Sequence, residues 1–570
     1  MPGTMTEEGG MAESGTAGAC PIGSAAGSGI LGPLPGFRHL FGPPAAAERF
    51  AVDGEDPRTS PAALATLRRR LRGLATLMGT RPPDAAENPN LPSGYTYLAQ
   101  LAAHDIVSTS MAFWSAGGPD PGVANVHGAP LRLRTLYGDG PGACPVAFAP
   151  DDARDQYRSR FRLSAFAGAR GAAADFRDIA RAATPGTLGN RGGFAGAGRG
   201  EALIADQRND QSALLSQVSG LFQMLHNALL DMIPRPGTLP ARALRERTAA
   251  RFAVAREATA LVFRSVLRED LLPRLLDPAV RALYDNPAPE WLEPEWLEPG
   301  AAPGVPLEFS HGAFRCGHAM LRDTYRIGRF DAATLADLLR QNSTRGPTAV
   351  PLTRDWLIRW SQFYEMPGQP APNLSMRLGP RYTAMLMGDG LFDPIEAGDP
   401  AGVAFRDLMS ASLTGMRSVR DLCTRAAALR PGLAARSPLL ADPAARQAAL
   451  AGWLGQNGEI SLLTAADVAA LAAEPPLPFY ILFEAEHEAG GARLGTLGSL
   501  LVAETVYGAL ARERLLSEGE GGLGAALDRL CATWLGDHRL PDPPLVRDMP
   551  GLVGYLARRL GLEAADPAFI

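Results

Sequence analysis

The sequence predicts a mainly α fold with long irregular connections. Three observations predict it. Apolar residues recur at helical spacing through most of the chain. Alternating, strand-like segments are scarce. Two long glycine-rich stretches, 115–150 and 183–201, interrupt the helical pattern. Taken in order, residues 1–30 are small, polar and rich in Gly, Ala and Ser, which predicts a disordered segment ahead of a domain spanning 31–570. Ala62 to Met78 (AALATLRRRLRGLATLM) reads as a helix with an arginine face. Further helices are expected at 96–113, 210–233, 241–272, 311–326, 332–341, 353–364, 402–428, 464–473, 496–516 and 521–535. Between them, 286–305 carries the tandem EWLEPEWLEP, whose prolines stop a helix and predict a surface connection. No repeat of solenoid length is present.

Composition narrows the function classes. The chain has 570 residues, 46% hydrophobic and 20% charged, enough for a sizeable core. Its net charge of −5 gives no basic surface, so neither nucleic acid nor an anionic membrane is expected as a partner. All 55 basic residues are arginine, which suggests a GC-rich, bacterial coding bias. Five scattered cysteines, with no CxxC pair, exclude a disulfide framework and a thiolate zinc site. The N-terminus lacks a basic start and apolar stretch, and no apolar run reaches the ~18 residues of a membrane span. The expectation is a soluble, cytoplasmic protein with reduced thiols. Long loops in a large enzyme often wrap a prosthetic group, and these point that way.

Three stretches carry candidate chemistry. In YLAQLAAHDIVSTS (97–110), Gln100 and His104 are four apart and share a helical face, while Asp105 points elsewhere. In the stretch beginning GEALIADQRNDQS (200–212), Arg208 lies where a loop enters a long helix. That end repels a cation, which favours a specific role over a solvated one. In HGAFRCGHAMLRDTYRIG (311–328), Arg315 and His318 are three apart, and Gly317 leaves room beside the histidine. Singly, each reads more readily as packing or a solvated face than as a site.

Together, in this order, they resemble the animal-type (myeloperoxidase-like) haem peroxidases. Gln100-x-x-x-His104-Asp105 resembles the distal helix, Ala205-Asp206-Gln207-Arg208-Asn209-Asp210 the catalytic-arginine loop, and Phe314-Arg315-x-Gly317-His318 with Tyr325-Arg326 the proximal helix. LRTLYGDGP (133–141), FYILFEAEHEAGGARLGTLGSLLVAETVYGAL (479–510) and MPGLVGYLARRL (549–560) extend the likeness over about residues 35–565, the latter two to bacterial members. The resemblance implies a haem b buried between helices, with iron bound by His318 and His104 on the opposite face. His104 would move the peroxide proton, Arg208 would stabilise the departing oxygen, and Gln100 would bond distal water or a halide, giving an oxoferryl species. His318 needs an acceptor on its other ring nitrogen. The family uses an asparagine three before an arginine. The best match is Thr414-Gly415-Met416-Arg417, which nominates Thr414 as acceptor and Arg417 beside the cofactor. Arg315 would reach a haem propionate.

Departures from the pattern carry expectations too. The carboxylates that esterify haem in mammalian members are Ala103 and Gln211 here, so the haem is expected to be non-covalent, which argues against chloride oxidation. Asp105 survives from the family's calcium site, but the partner loop reads Leu131-Arg132-Leu133-Arg134, and arginine offers no oxygen. Calcium is therefore expected to be absent, with Arg132 or Arg134 pairing Asp105 in its place. The expected activity is oxidation of a small organic donor by hydrogen peroxide. A dedicated biosynthetic oxidase or oxygenase on the same scaffold is the alternative, and a haem-binding protein with degenerate catalysis a second. The superfamily's tyrosyl-radical dioxygenases carry tyrosine three before the proximal histidine, where this chain has Arg315. His226 and Asn227 are expected to support the pocket, Tyr325 and Cys316 to pack. Gly196-x-Gly198-x-Gly200 lacks a preceding strand and does not read as a dinucleotide loop.

Overall fold

The computed structural model describes residues 36–562 and 569, except 83, 111–123, 126–130, 152–156, 167–175, 184–199, 236–240, 299–303, 343–351, 389–391, 457–462, 513 and 516. Residues 1–30, much of both glycine-rich stretches and Gly196 and Gly198 lie outside the described residues. Among the described residues the fold is helices joined by long connections, with strands only as two-stranded pieces. Phe37–Arg38 pairs in parallel with Val305–Pro306, and the other pairs are antiparallel.

Helix α1 (Pro61–Met78) begins on local signals. Ser60 Oγ accepts from the Ala63 amide and Pro61 takes the first position. Leu67, Leu71, Leu74 and Leu77 fill its buried stripe, while Arg69 and Arg72 turn outward to Asp467 and Asp399. Helix α2 (Gly94–Ile106) follows and ends seven residues earlier than its periodicity predicts. Its C-terminal turn is closed by tertiary partners, described below. Helix α3 (Ala213–Met232) is buried along nearly its whole length and starts on Ser212, whose Oγ accepts from the Leu215 amide. Helix α4 (Ala241–Val266) runs into a π turn at Leu267–Leu271.

The 311–326 segment departs most from its periodicity. A π turn, Glu308–Gly312, passes into a 3-10 segment, Ala313–Met320, and Thr324–Ile327 is a strand paired with Phe330–Thr334. Gly312 is closely packed at the junction: a Cβ there would lie 2.4 Å from Leu477 Cδ2, which would have to shift. The stretch 353–364 forms short 3-10 turns rather than a helix. The expected 402–428 helix splits into α5 (Val403–Leu413) and α6 (Val419–Leu429). Gly415, at φ +70°, breaks it. Helices α7 (Leu477–Ala489) and α8 (Thr496–Arg512) complete the centre, and Met549–Leu560 closes the chain. The 3-10 segment is packed by α2, α7 and α8, and α2 lies on α3. One connected core runs from Phe37 to Phe569. Among the described residues no single helix is long and apolar enough to cross a membrane.

Candidate functional site

His318 lies on the 3-10 segment, and its Nδ1 is 2.6 Å from Asp407 Oδ2 on α5. Arg315 Nη1 donates to the other oxygen, Asp407 Oδ1, at 3.3 Å, and Arg315 Nε to the Ser310 carbonyl at 3.1 Å. Asp407 is buried, whereas the His318 and Arg315 side chains are 31% and 29% exposed. The Nδ1 contact fixes the ring and leaves the Nε2 edge for a ligand. Gly317 borders open space, since a Cβ there would meet no atom within 4 Å. The segment's end is fastened by Arg81, which donates to the Leu321 carbonyl at 2.6 Å and to the Ala319 carbonyl. A cation at a run of carbonyl ends is favourably placed.

This arrangement corrects two sequence expectations. The acceptor for His318 is Asp407, not Thr414. Gly415 ends the helix, and the Thr414 hydroxyl turns back to its own helix, donating to the Ala411 carbonyl at 2.9 Å. Arg417 is buried away from the histidine. Its guanidinium holds the Leu40, Phe41 and Gly42 carbonyls, Glu48 and Asp421, fastening residues 40–48 to α6. Arg315, expected on a propionate, also contacts Asp407 through Nη1 and the Ser310 carbonyl through Nε. Sequence reasoning missed Asp407, but a signal existed. With Val403, Ala404, Leu408 and Ala411 it shares the apolar stripe of α5, where an unpaired carboxylate would be costly.

On α2, Gln100, Ala103 and His104 share a partly exposed edge within an otherwise buried helix, one turn or less apart. His104 Nδ1 is 3.1 Å from Asn209 Oδ1. The Asn209 amide nitrogen donates to Thr135 Oγ1 at 2.9 Å, which turns the amide oxygen toward the histidine. Nδ1 therefore carries the hydrogen, and Nε2 is the basic nitrogen; this tautomer follows from the network. Arg208 Nη2 donates to the His104 carbonyl at 2.9 Å and Nη1 to the Val107 carbonyl at 2.7 Å. Arg208 also pairs with Asp206 through Nε and Nη2. Burial opposes ionisation of Asp206, but the Arg208 guanidinium outweighs it and holds the carboxyl below its ordinary pKa. The cation thus closes the C-terminal end of α2, where a helix favours positive charge. From sequence it lay only before the N-terminus of α3, where it looked unfavourable. Gln100 Nε2 donates to Gln211 Oε1 at 3.0 Å. The loop bearing Arg208 is anchored by a buried ion triad, with Arg181 on both Asp178 and Asp210.

Asp105 points away from this edge and is fully buried. Its oxygens accept from the Leu133 and Thr135 amides, each at 2.9 Å. Burial pushes its pKa up to about 6 against the pull of the amides of Thr135, Leu133, Leu131 and Arg132. Leu131 and Leu133 adopt φ of +61° and +56°, so the loop curls its N–H groups inward. The expected charge pair is corrected here: Arg132 donates to the Arg514 carbonyl and Arg134 pairs with Asp139. The partner of Asp105 is a backbone nest. Converging N–H donors do not suit a calcium ion, which needs oxygen ligands.

The supporting residues are satisfied internally. His226 Nδ1 accepts from the Tyr137 hydroxyl and Nε2 donates to the Ser159 carbonyl, both at 2.9 Å. Burial depresses its pKa to about 4. Asn227 brackets the Phe161 backbone. Tyr325 is buried, and Tyr97 donates to its hydroxyl. Cys316 is buried and its thiol is pushed up to about 12 by that burial.

The sequence matches no known protein-family profile and no curated protein. Solved structures do match. Peroxidase A from Dictyostelium discoideum aligns with TM-score 0.54 at 11% identity, covering 86% of this chain and 89% of that one. The fatty acid alpha-dioxygenase of Oryza sativa aligns with TM-score 0.51 at 12% identity, covering 88% and 80%. That of Arabidopsis thaliana gives 0.51 at 12%, covering 93% and 89%. The chain therefore has the mainly α fold shared by these proteins, the animal haem peroxidase fold with its long loops.

Proposed function

We propose that the protein is a haem-dependent oxidoreductase that uses hydrogen peroxide to oxidise a small organic donor. The observation that carries this reading is a matched pair of histidines on packed elements. Each has Nδ1 committed, His104 to Asn209 and His318 to Asp407, and each directs its Nε2 edge away from that partner. His318 would hold the haem iron, with Gly317 giving the ring plane room. The haem, when bound, supplies the redox chemistry. His104 Nε2 would take the proton of the incoming peroxide and return it to the departing oxygen. Arg208, whose guanidinium is held by Asp206 and by the His104 and Val107 carbonyls, would serve by fixing the end of α2 that carries His104. Gln100 would hold the distal solvent, oriented by Gln211. With Ala103 and Gln211 at the ester positions, the haem would be held without covalent links. Calcium is not expected at Asp105.

A second reading, a haem oxygenase using molecular oxygen, is favoured by the likeness to two fatty acid alpha-dioxygenases. Arg315, three before His318, weighs against it, because a tyrosyl-radical oxygenase needs a phenol there. One experiment tests both. The protein is reconstituted with haemin, its Soret band and pyridine haemochrome are recorded, and peroxide and dissolved oxygen are followed with aromatic donors and with fatty acids. A Soret band extractable into acid solvent, with peroxide-dependent donor oxidation, is expected. Oxygen uptake on a fatty acid without peroxide would shift the assignment to the oxygenase. A Soret band with no reaction would leave a haem-binding protein with degenerate catalysis. No Soret band would sink all three.

A further inference from the structure

Asp407 is a carboxylate at a position where a neutral acceptor would hold the imidazole equally well. We infer that Asp407 and Arg315 act as an opposed pair on His318, the carboxylate strengthening its donation to the bound iron and the guanidinium weakening it. The inference rests on the proposed haem site. Asp407 is 2% exposed and lies between the two, with Oδ2 at 2.6 Å from His318 Nδ1 and Oδ1 at 3.3 Å from Arg315 Nη1. Hydrogen bonding to a carboxylate draws the Nδ1 proton toward oxygen, raises electron density on Nε2, and so raises ligand basicity. Arg315 draws charge off the same carboxylate through its other oxygen and limits that effect. Burial withholds water from Asp407, so its charge is directed at these two partners rather than solvated. Tyr382 walls the group: its ring meets His318 edge-on at 6.2 Å, and its buried hydroxyl has no partner among the described residues. Asp407 and Arg315 are therefore positioning residues that act through His318.

The test compares haemin-reconstituted wild type, Asp407→Asn, Asp407→Glu and Arg315→Gln. The readouts are the ferric/ferrous midpoint potential and the iron–histidine stretch of the ferrous protein by resonance Raman. Asp407→Asn keeps an acceptor for Nδ1 but loses the charge. Its midpoint should rise enough to change the ferrous-to-ferric ratio at least tenfold, 59 mV for a one-electron couple, with the stretch moving to lower frequency. Arg315→Gln should move both the opposite way, and much less in the Asp407→Asn background, because Arg315 acts through the carboxylate. Asp407→Glu should return both readouts toward wild type. A merely structural role would give no opposed signs. An unmoved midpoint in haem-loaded Asp407→Asn overturns the inference. Should that variant fail to fold or load, an unmoved or raised midpoint in Arg315→Gln overturns it. Wild type that takes up no haemin overturns the proposed function instead.

Discussion

His104 and Asn209 show how much a single hydrogen bond decides. The Asn209 amide oxygen selects the His104 tautomer whose Nε2 is basic, and the Thr135 hydroxyl keeps the amide from flipping. On the proposed function, His104→Ala should lower the second-order rate with peroxide by about 10²–10⁴-fold, with the Soret band retained, as stopped-flow mixing would show. Asn209→Leu should lower the same rate while leaving His104 in place, because the ring loses its fixed tautomer. Equal peroxide reactivity in wild type and His104→Ala would remove His104 from the mechanism. Arg208→Ala should lower the same rate by releasing the end of α2 that carries His104.

At the scale of elements, the loop 131–135 and the C-terminal turn of α2 form a unit around Asp105. Two leucines in the left-handed region cost about 1–2 kcal/mol each, and the recovered interaction is an anion enclosed by amides. Asp105→Ala would leave those N–H groups buried without an acceptor, so unfolding in urea should show a loss of about 3 kcal/mol or more. Adding calcium should not restore it, and a chelator should not shift the melting temperature of wild type. A chelator-dependent transition would overturn the backbone-nest account. The histidine segment has its own weak point at Gly312, where Gly312→Ala drives a methyl into Leu477 Cδ2 and should displace the turn that leads to His318.

For the whole molecule, the buried histidines make stability depend on pH with a definite sign. His226 has its pKa lowered from 6.5 to about 4 by burial and remains neutral when folded. Below 6.5 the unfolded chain binds a proton that the folded chain refuses, so this residue's contribution is complete above 6.5 and falls as pH drops toward 4. The stability difference between wild type and His226→Gln should therefore shrink by about 3 kcal/mol across that window, measured by denaturant unfolding at several pH values. A constant difference would contradict the buried, neutral state.

The sequence by itself determined the helical class, because apolar period is set by local geometry and survives without tertiary contacts. It also grouped polar residues that share single elements, such as Gln100 and His104 on one face of α2 and Arg315 with His318 three apart. Only the tertiary structure decided the partners. Asp407 lies 89 positions beyond His318, and Asn209 lies 105 beyond His104. Thr414 and Arg417 matched a spacing but were claimed by nearer groups, the Ala411 carbonyl and the Leu40–Gly42 backbone. The partner of Asp105 was invisible for a further reason: it is backbone, which every residue carries, exposed inward by two φ angles that no side-chain pattern encodes. Hydrogen-bond acceptors are chosen by proximity in space, and spacing along the chain constrains that only within an element.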